Sequence, residues 1–302
     1  MRSLVIALGL LIGSAASVAS AEISNRDIPP DANWYIYVGM EALRDSDAGA
    51  EVLSWIDEDV TSDLESDFGI RITEDANSVF LYGDGDENFA LRLLADFSDE
   101  TVSKLKAEVL SNGNTTMKKA GWGEYYVIQD LEDELDIDTG EVNIETDTIF
   151  VNFDGRKAIY IASTLEHLAN EVKGVRGGNN NILVLDGQSP FLQIGVNTDE
   201  LDADGDFDFD SDLLRQTSKV ALTVGSARDA FDIHTRITAT DPEVTESMAN
   251  IVRGLISLRM LSSEIPDSMS RIIDKLKVES DSSGMSIRLN VTPGEIQAFA
   301  DE

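Results

Sequence analysis

An α+β fold, mainly antiparallel sheet with helices packed on one face, is predicted by three observations on this sequence. Short segments alternate apolar and polar residues with period two. Between them lie stretches whose apolar residues recur every three or four positions. Glycine–aspartate turns and capped helix starts punctuate both kinds.

After a polar lead-in with Pro29-Pro30, residues 34–40 read as a strand, with Trp34, Ile36 and Val38 on one face and Tyr35 and Tyr37 on the other. A helix is expected over 45–67, striped by Leu53, Ile56, Val60 and Leu64. Strands over 78–82 and 88–97 flank the turn sequence Gly83-Asp84-Gly85-Asp86. Asp99 is the expected N-cap of a helix striped by Val102, Leu105, Val109 and Leu110. A hairpin is expected around Gly121-Trp122-Gly123, then an acidic connector over 130–147, then a hairpin across Asp154-Gly155. Ser163 and Glu166 have the spacing of a capping box for a helix carrying Leu165, Leu168 and Val172.

The glycine and asparagine loop over 174–181 suggests a boundary. The expected organisation is a leader over 1–21, an α+β lobe over 22–185 and a second over 186–302, with one continuous domain as the other option. In the second half, 191–197, 220–224 and 231–239 read as strands, the last two joined by Gly225-Ser226. Asp241 with Pro242 starts a helix whose core face is Val244, Met248, Ile251, Val252, Leu255 and Ile256. Pro266 starts another, with Met269, Ile272, Ile273 and Leu276, and a hairpin around Ser282-Ser283-Gly284 closes the chain. Shifting the sequence by 142 residues lays Gly83 on Gly225, Phe89 on Phe231, Leu91 on Ile233, Asp99 on Asp241 and Val102 on Val244, a signature of duplication of a ββα-type unit.

The first residues read as an export signal. Arg2 precedes an apolar run from Leu4 to Ile12, about half of the roughly 20 residues that span a bilayer, and Ala19-Ser20-Ala21 offers small residues for cleavage before Glu22. The expected address is the periplasm or the medium, with no membrane insertion after cleavage.

Charge narrows the partners. The chain has 57 acidic and 23 basic residues, a net of −34. Nucleic acid is excluded as a partner, because its phosphates would be repelled over about a Debye length, roughly 8 Å in physiological salt. So dense an acidic shell suits a salt-tolerant bacterium. The chain has no cysteine. That removes disulfides, thiolate nucleophiles, iron–sulfur clusters, Cys-based zinc sites and a lipid-attachment cysteine.

Motifs for chemistry are few. His167 and His234 are the only histidines and read as ordinary surface or edge residues. Gly187-Gln188-Ser189-Pro190-Phe191 lacks the closing glycine of a nucleophile elbow and leads into a strand. Gly83-Asp84-Gly85 lacks a third glycine, and its acids would repel a phosphate. With 57 acids, carboxylate pairs discriminate nothing. Trp34, Trp55, Trp122, Tyr125 and Tyr126 read as packing residues, with a sugar-binding groove as the alternative. The exception is the alternation Asp202, Asp204, Asp206, Asp208 and Asp210. Counted from Glu200 it puts acids at positions 1, 3, 5, 7 and 9 and Gly205 at 6, as in a calcium loop, but with Ser211 where a bidentate Glu belongs.

The stretches Pro30-Asp31-Ala32-Asn33-Trp34, Met40 to Ser46, Val79 to Gly83 and Gly123-Glu124-Tyr125-Tyr126, with the strand–turn–strand–helix over 148–172, resemble a group of exported bacterial proteins of uncharacterised function. The resemblance implies a shared fold and export, and no catalytic residue or ligand.

These features together predict an exported, soluble, acidic protein acting as a non-enzymatic binding or interaction module of the cell envelope, its partner an unidentified envelope protein or ligand. The alternatives are a secreted hydrolase using two carboxylates and a calcium-dependent adhesion or matrix component.

Overall fold

The computed structural model describes residues 23–56, 72–85, 88–111, 113–135, 142–175, 177–187, 189–199, 216–227, 229–239, 241–258 and 267–300. The expected leader over 1–21 and its cleavage point lie outside them.

The predicted α+β class holds. The strands are β1 (Trp34–Gly39), β2 (Ala76–Gly83), β3 (Phe89–Ala95), β4 (Thr115–Ala120), β5 (Gly123–Leu135), β6 (Val142–Asp154), β7 (Ala158–Ala162), β8 (Pro190–Asn197), β9 (Thr217–Ala227), β10 (Ala230–Ala239), β11 (Lys277–Asp281) and β12 (Gly284–Val291). The helices are α1 (Met40–Arg44), α2 (Asp47–Ile56), α3 (Ile72–Asp75), α4 (Asp99–Ser111), α5 (Leu165–Lys173), α6 (Pro242–Leu258), α7 (Asp267–Lys275) and α8 (Pro293–Ala300).

All twelve strands form one sheet in the order β11-β12-β10-β9-β8-β1-β2-β3-β7-β6-β5-β4, every neighbouring pair antiparallel. The order is nearly palindromic about the β1/β8 seam, where Ile36 faces Ile194. Outward on one side run β1-β2-β3-β7-β6, and on the other β8-β9-β10-β12-β11. The hairpin β4-β5 extends the first side. The 142-residue shift lays β2 on β9, β3 on β10 and the start of α4 on that of α6, so equivalent sequence positions occupy equivalent strands.

The main core fills one face of the sheet. Val38, Val79, Leu91, Leu93, Val151, Phe191, Phe231 and Val291 meet Met40 and Leu43 of α1, Val52 and Leu53 of α2, Val102 and Val109 of α4, Ile272 of α7 and Ile296 of α8. On the same face α6 sets Met248 and Ala249 against Met285, Ile237 and Ile287. The opposite face is apolar only in the first half, where Tyr35, Tyr37, Phe80, Tyr82, Ala90 and Ala162 lie beneath Leu168 of α5, the lead-in residues Ile23, Ile28 and Ala32, and Ile182. Gly195 makes room here: a Cβ on it would lie 2.3 Å from the Tyr35 ring.

Local chemistry moves several expected boundaries. Of the helix expected over 45–67 the described part is α2, which Ser46 caps, its Oγ accepting from Gly49 N–H (3.0 Å), while α1 precedes it where a strand end was expected at Met40; Val60 and Leu64 lie outside the described residues. Ser98, not Asp99, caps α4, with Thr101 N–H donating to its Oγ (3.0 Å). Thr164, not Ser163, caps α5 (His167 N–H to Thr164 Oγ1, 3.1 Å), while Ser163 Oγ accepts from Phe89 N–H (2.9 Å) and ties the helix start to β3. Gly225 and Ser226 pair within β9, so that hairpin turns two residues later. The expected acidic connector is instead the arms of the β5/β6 hairpin, Gln129 pairing with Thr148 and Leu135 with Val142. Leu110 and Ile251 point outward, 50% and 52% exposed, each beyond the arc its helix buries. The chain also continues past its last hairpin into α8, through the capping box Thr292–Glu295 with Pro293 at the first helical position.

Candidate functional site

Both histidines are buried, His167 at 5% and His234 at 9% exposure. The reading of them as surface or edge residues fails for a geometric reason. His167 sits at the start of α5 next to Leu168, on the side that turns toward the sheet. His234 lies on β10, which is paired on both sides, by β9 and β12.

His167 belongs to a buried ionisable cluster. Helical spacing carries Glu171 to the same side of α5, one turn on, where it is 2% exposed. Arg92 rises from β3, the one charged side chain in Phe-Ala-Leu-Arg-Leu-Leu-Ala, and its Nη1 lies 3.3 Å from Glu171 Oε2. The same guanidinium lies 4.9 Å from the centroid of the Phe80 ring. Tyr82 of β2 meets the His167 ring edge to face, centroids 5.9 Å apart. Its hydroxyl is buried beside the Glu171 carboxylate without a well-aligned hydrogen bond. His167 Nε2 lies 3.7 Å from Asp31 Oδ2 of the lead-in and 3.7 Å from Asp84 Oδ2 of the β2/β3 turn.

Burial sets the electrostatics. It pushes the Glu171 carboxyl above the usual range, against the pull of Arg92, Tyr82 and His167. It raises Tyr82 further, with the Glu171 and Asp31 charges acting in the same direction. Tyr160 of β7 is likewise raised by burial first. Chemically the cluster is a clamp. Its polar groups join α5, the lead-in and the β2/β3 turn to the sheet, and the Arg92–Glu171 contact faces inward.

The sequence missed this cluster although two signals were present: a lone arginine in an apolar strand, and a glutamate between Leu168 and Val172 on an apolar helix stripe. Of the five aromatic residues read as packing, with a groove as the alternative, the Trp55 side chain lies outside the described part of the structure. Tyr125 and Tyr126 are both buried, in the cores on opposite faces of the sheet, and Trp122 stacks near Tyr125 at 5.1 Å. Trp34 Nε1 donates to Gly85 O (3.2 Å). Asp202, Asp204, Asp206, Asp208 and Asp210 lie outside the described residues. Among the described residues no cluster of His, Asp and Glu has the arrangement to hold a metal ion, and no helix is long and apolar enough to cross a membrane.

The second half of the sheet treats the same face differently. Gln193, Thr223, His234, Arg288 and Lys277 fall in one register row across β8, β9, β10, β12 and β11. The neighbouring row holds Ala221, Arg236, Ser286 and Glu279. Arg288, Asn290, Lys277 and Glu279 are exposed. Arg236 is held by Asp281 (Nη2–Oδ1 3.0 Å), Ser283 and Ser286. Lys219 Nζ donates to Asn180 O (3.2 Å). His234 is shifted down, by burial first and then by the Arg288 charge.

No protein-family model matches the chain, and no curated protein is similar to it. Solved structures of TP0453 are similar at 10% identity. Crystal form IV gives a TM-score of 0.49 over 91% of this chain and 97% of that one. Crystal form III gives 0.47 over 96% of each, and crystal form I gives 0.43 over 93% and 98%.

Proposed function

We propose that the protein is an exported, non-enzymatic binding module of the cell envelope that acts through a surface, in the periplasm or the medium after cleavage between Ala21 and Glu22. The observation that carries this reading is the exposed polar face of β12 and β11, placed beside a first half whose ionisable groups are committed to holding the chain together. In Arg92, Glu171 and His167 the molecule has the residue types of acid–base catalysis, but they face one another and their own backbone elements. An active site needs such groups within reach of a substrate.

Cell fractionation combined with a broad hydrolase panel tests the proposal. The expected result is a processed protein outside the cytoplasm and no turnover. An unprocessed cytoplasmic chain, or turnover abolished by Glu171→Gln with the fold intact, overturns it.

A further inference from the structure

One register row carries unsatisfied polar groups beside two unpaired cations; the His234 ring itself is bonded to the Asp186 backbone. Thr223 Oγ1 and His234 Nε2 are buried without a hydrogen bond. Beyond them Arg288 and Lys277 stand directly opposite each other on β12 and β11, both exposed, with no acid within ion-pair distance among the described residues. Like charges directly opposite across a sheet are destabilising. The nearest carboxylates on that face, Glu279 two residues along β11 and Asp232 opposite Asn290 on β10, form no ion pair with either cation among the described residues. By contrast Arg236, one row away, is held by Asp281 and two serines.

The surroundings define what fits. Adjacent strands are about 4.8 Å apart, so the two cations form a short exposed rail across β12 and β11, next to the buried His234. The exposed residues beside it are Asn290 and Glu279, with Ser286 half-buried, and the rail offers no aromatic or aliphatic anchor. Protein interfaces draw their energy from such anchors, so a protein partner fits poorly. A flat face that mixes cations, an amide and the carboxylates of Glu279 and Asp232 suits a hydrated ligand that carries both hydroxyls and spaced anions. Charge density selects among polyanions. Duplex DNA carries one negative charge per about 1.7 Å and meets the most repulsion from an acidic protein, whereas a polymer with one carboxylate per sugar meets far less.

We propose that the open face of β12 and β11 binds an acidic polysaccharide, its uronate carboxylates held by Arg288 and Lys277 and its hydroxyls by Asn290 and Ser286. The proposal rests on the non-enzymatic reading above and names its ligand class.

Calorimetry of residues 22–302 with oligogalacturonate, a neutral glucose oligomer of equal length and polyphosphate tests it. The expected result is binding of oligogalacturonate alone, weakening as NaCl rises. Lys277→Gln with Arg288→Gln should reduce that affinity by about tenfold or more, the loss expected for two charge-assisted contacts. Lys104→Gln with Lys118→Gln, the same charge change on α4 and β4, should leave it near the unmodified value. Equal loss in both double variants, no oligogalacturonate binding, or tighter binding of polyphosphate overturns the glycan proposal and leaves the non-enzymatic reading standing. Release of reducing ends from oligogalacturonate overturns the non-enzymatic reading itself.

Discussion

The two halves of the sheet share a strand order but finish one face in different ways. In the first half the face of Phe80, Tyr82 and Arg92 is roofed by α5 and the lead-in, and pinned by Glu171 and His167. In the second half the helix that follows the last hairpin, α8, packs Ile296 into the core of the other face, and the equivalent surface at β12 and β11 stays open. One topology thus serves two purposes. A helix after the outer hairpin either seals the sheet or leaves it available, and the choice is written in which face of that helix is apolar.

The comparison breaks most severely at the clamp. Glu171→Ala leaves the Arg92 guanidinium without its carboxylate between helix and sheet, and should cost about 3–5 kcal/mol of stability in urea unfolding. Adding Arg92→Met should recover part of that loss, because the double variant buries no lone charge. A double variant as unstable as the summed single variants would show that the two side chains do not act as a pair.

Met248→Ala, in the core beneath α6, should cost about 2–3 kcal/mol. Asn290→Ala on the open face should fall within about 0.5 kcal/mol of the unmodified chain. A large loss from Asn290→Ala would mean that something packs on that face.

Acid should act on the halves with opposite signs. Glu295 is held down to about 2 by the Lys275 ammonium and the Thr292 N–H, so its contribution is present above the ordinary value of 4.5 and is lost as pH falls from there toward 2. Glu171 is shifted upward, so its contribution is full below 4.5 and declines as pH rises through its folded value. Hydrogen exchange between pH 5 and pH 3 should therefore show α8 loosening before α5. The reverse order would contradict the assignment.

The smallest effect is general. With a net charge of −34, stability should rise with NaCl as self-repulsion is screened, and the melting temperature should climb from near-zero salt. A flat or falling melting temperature would remove the basis for a salt-adapted surface.

How much of this was legible follows from the range of each signal. Period-two alternation in 231–239 and 285–291 located β10 and β12; β12 exposes alternate residues, while β10, paired on both sides, is at least half-buried on both faces. The caps went astray by one residue at Ser98 and Thr164, where two adjacent polar residues compete and only the backbone angles decide. α8 was missed although Thr292-Pro293-Gly294-Glu295 is a capping box. The clamp was missed because Asp31, Asp84, Arg92 and Glu171 are brought together by pairing across the sheet, which no local pattern records. The seam between β1 and β8 is hidden for the same reason: it joins residues 158 positions apart, as at Ile36 and Ile194.

The absence of cysteine gives the central contrast a direct test. Ala90→Cys places one thiol under the sealed face, and Asn290→Cys places one on the open face. Maleimide labelling of the folded protein should be complete at residue 290 and negligible at residue 90 until urea is added. Comparable labelling of the two under native conditions would contradict the claim that the halves close differently.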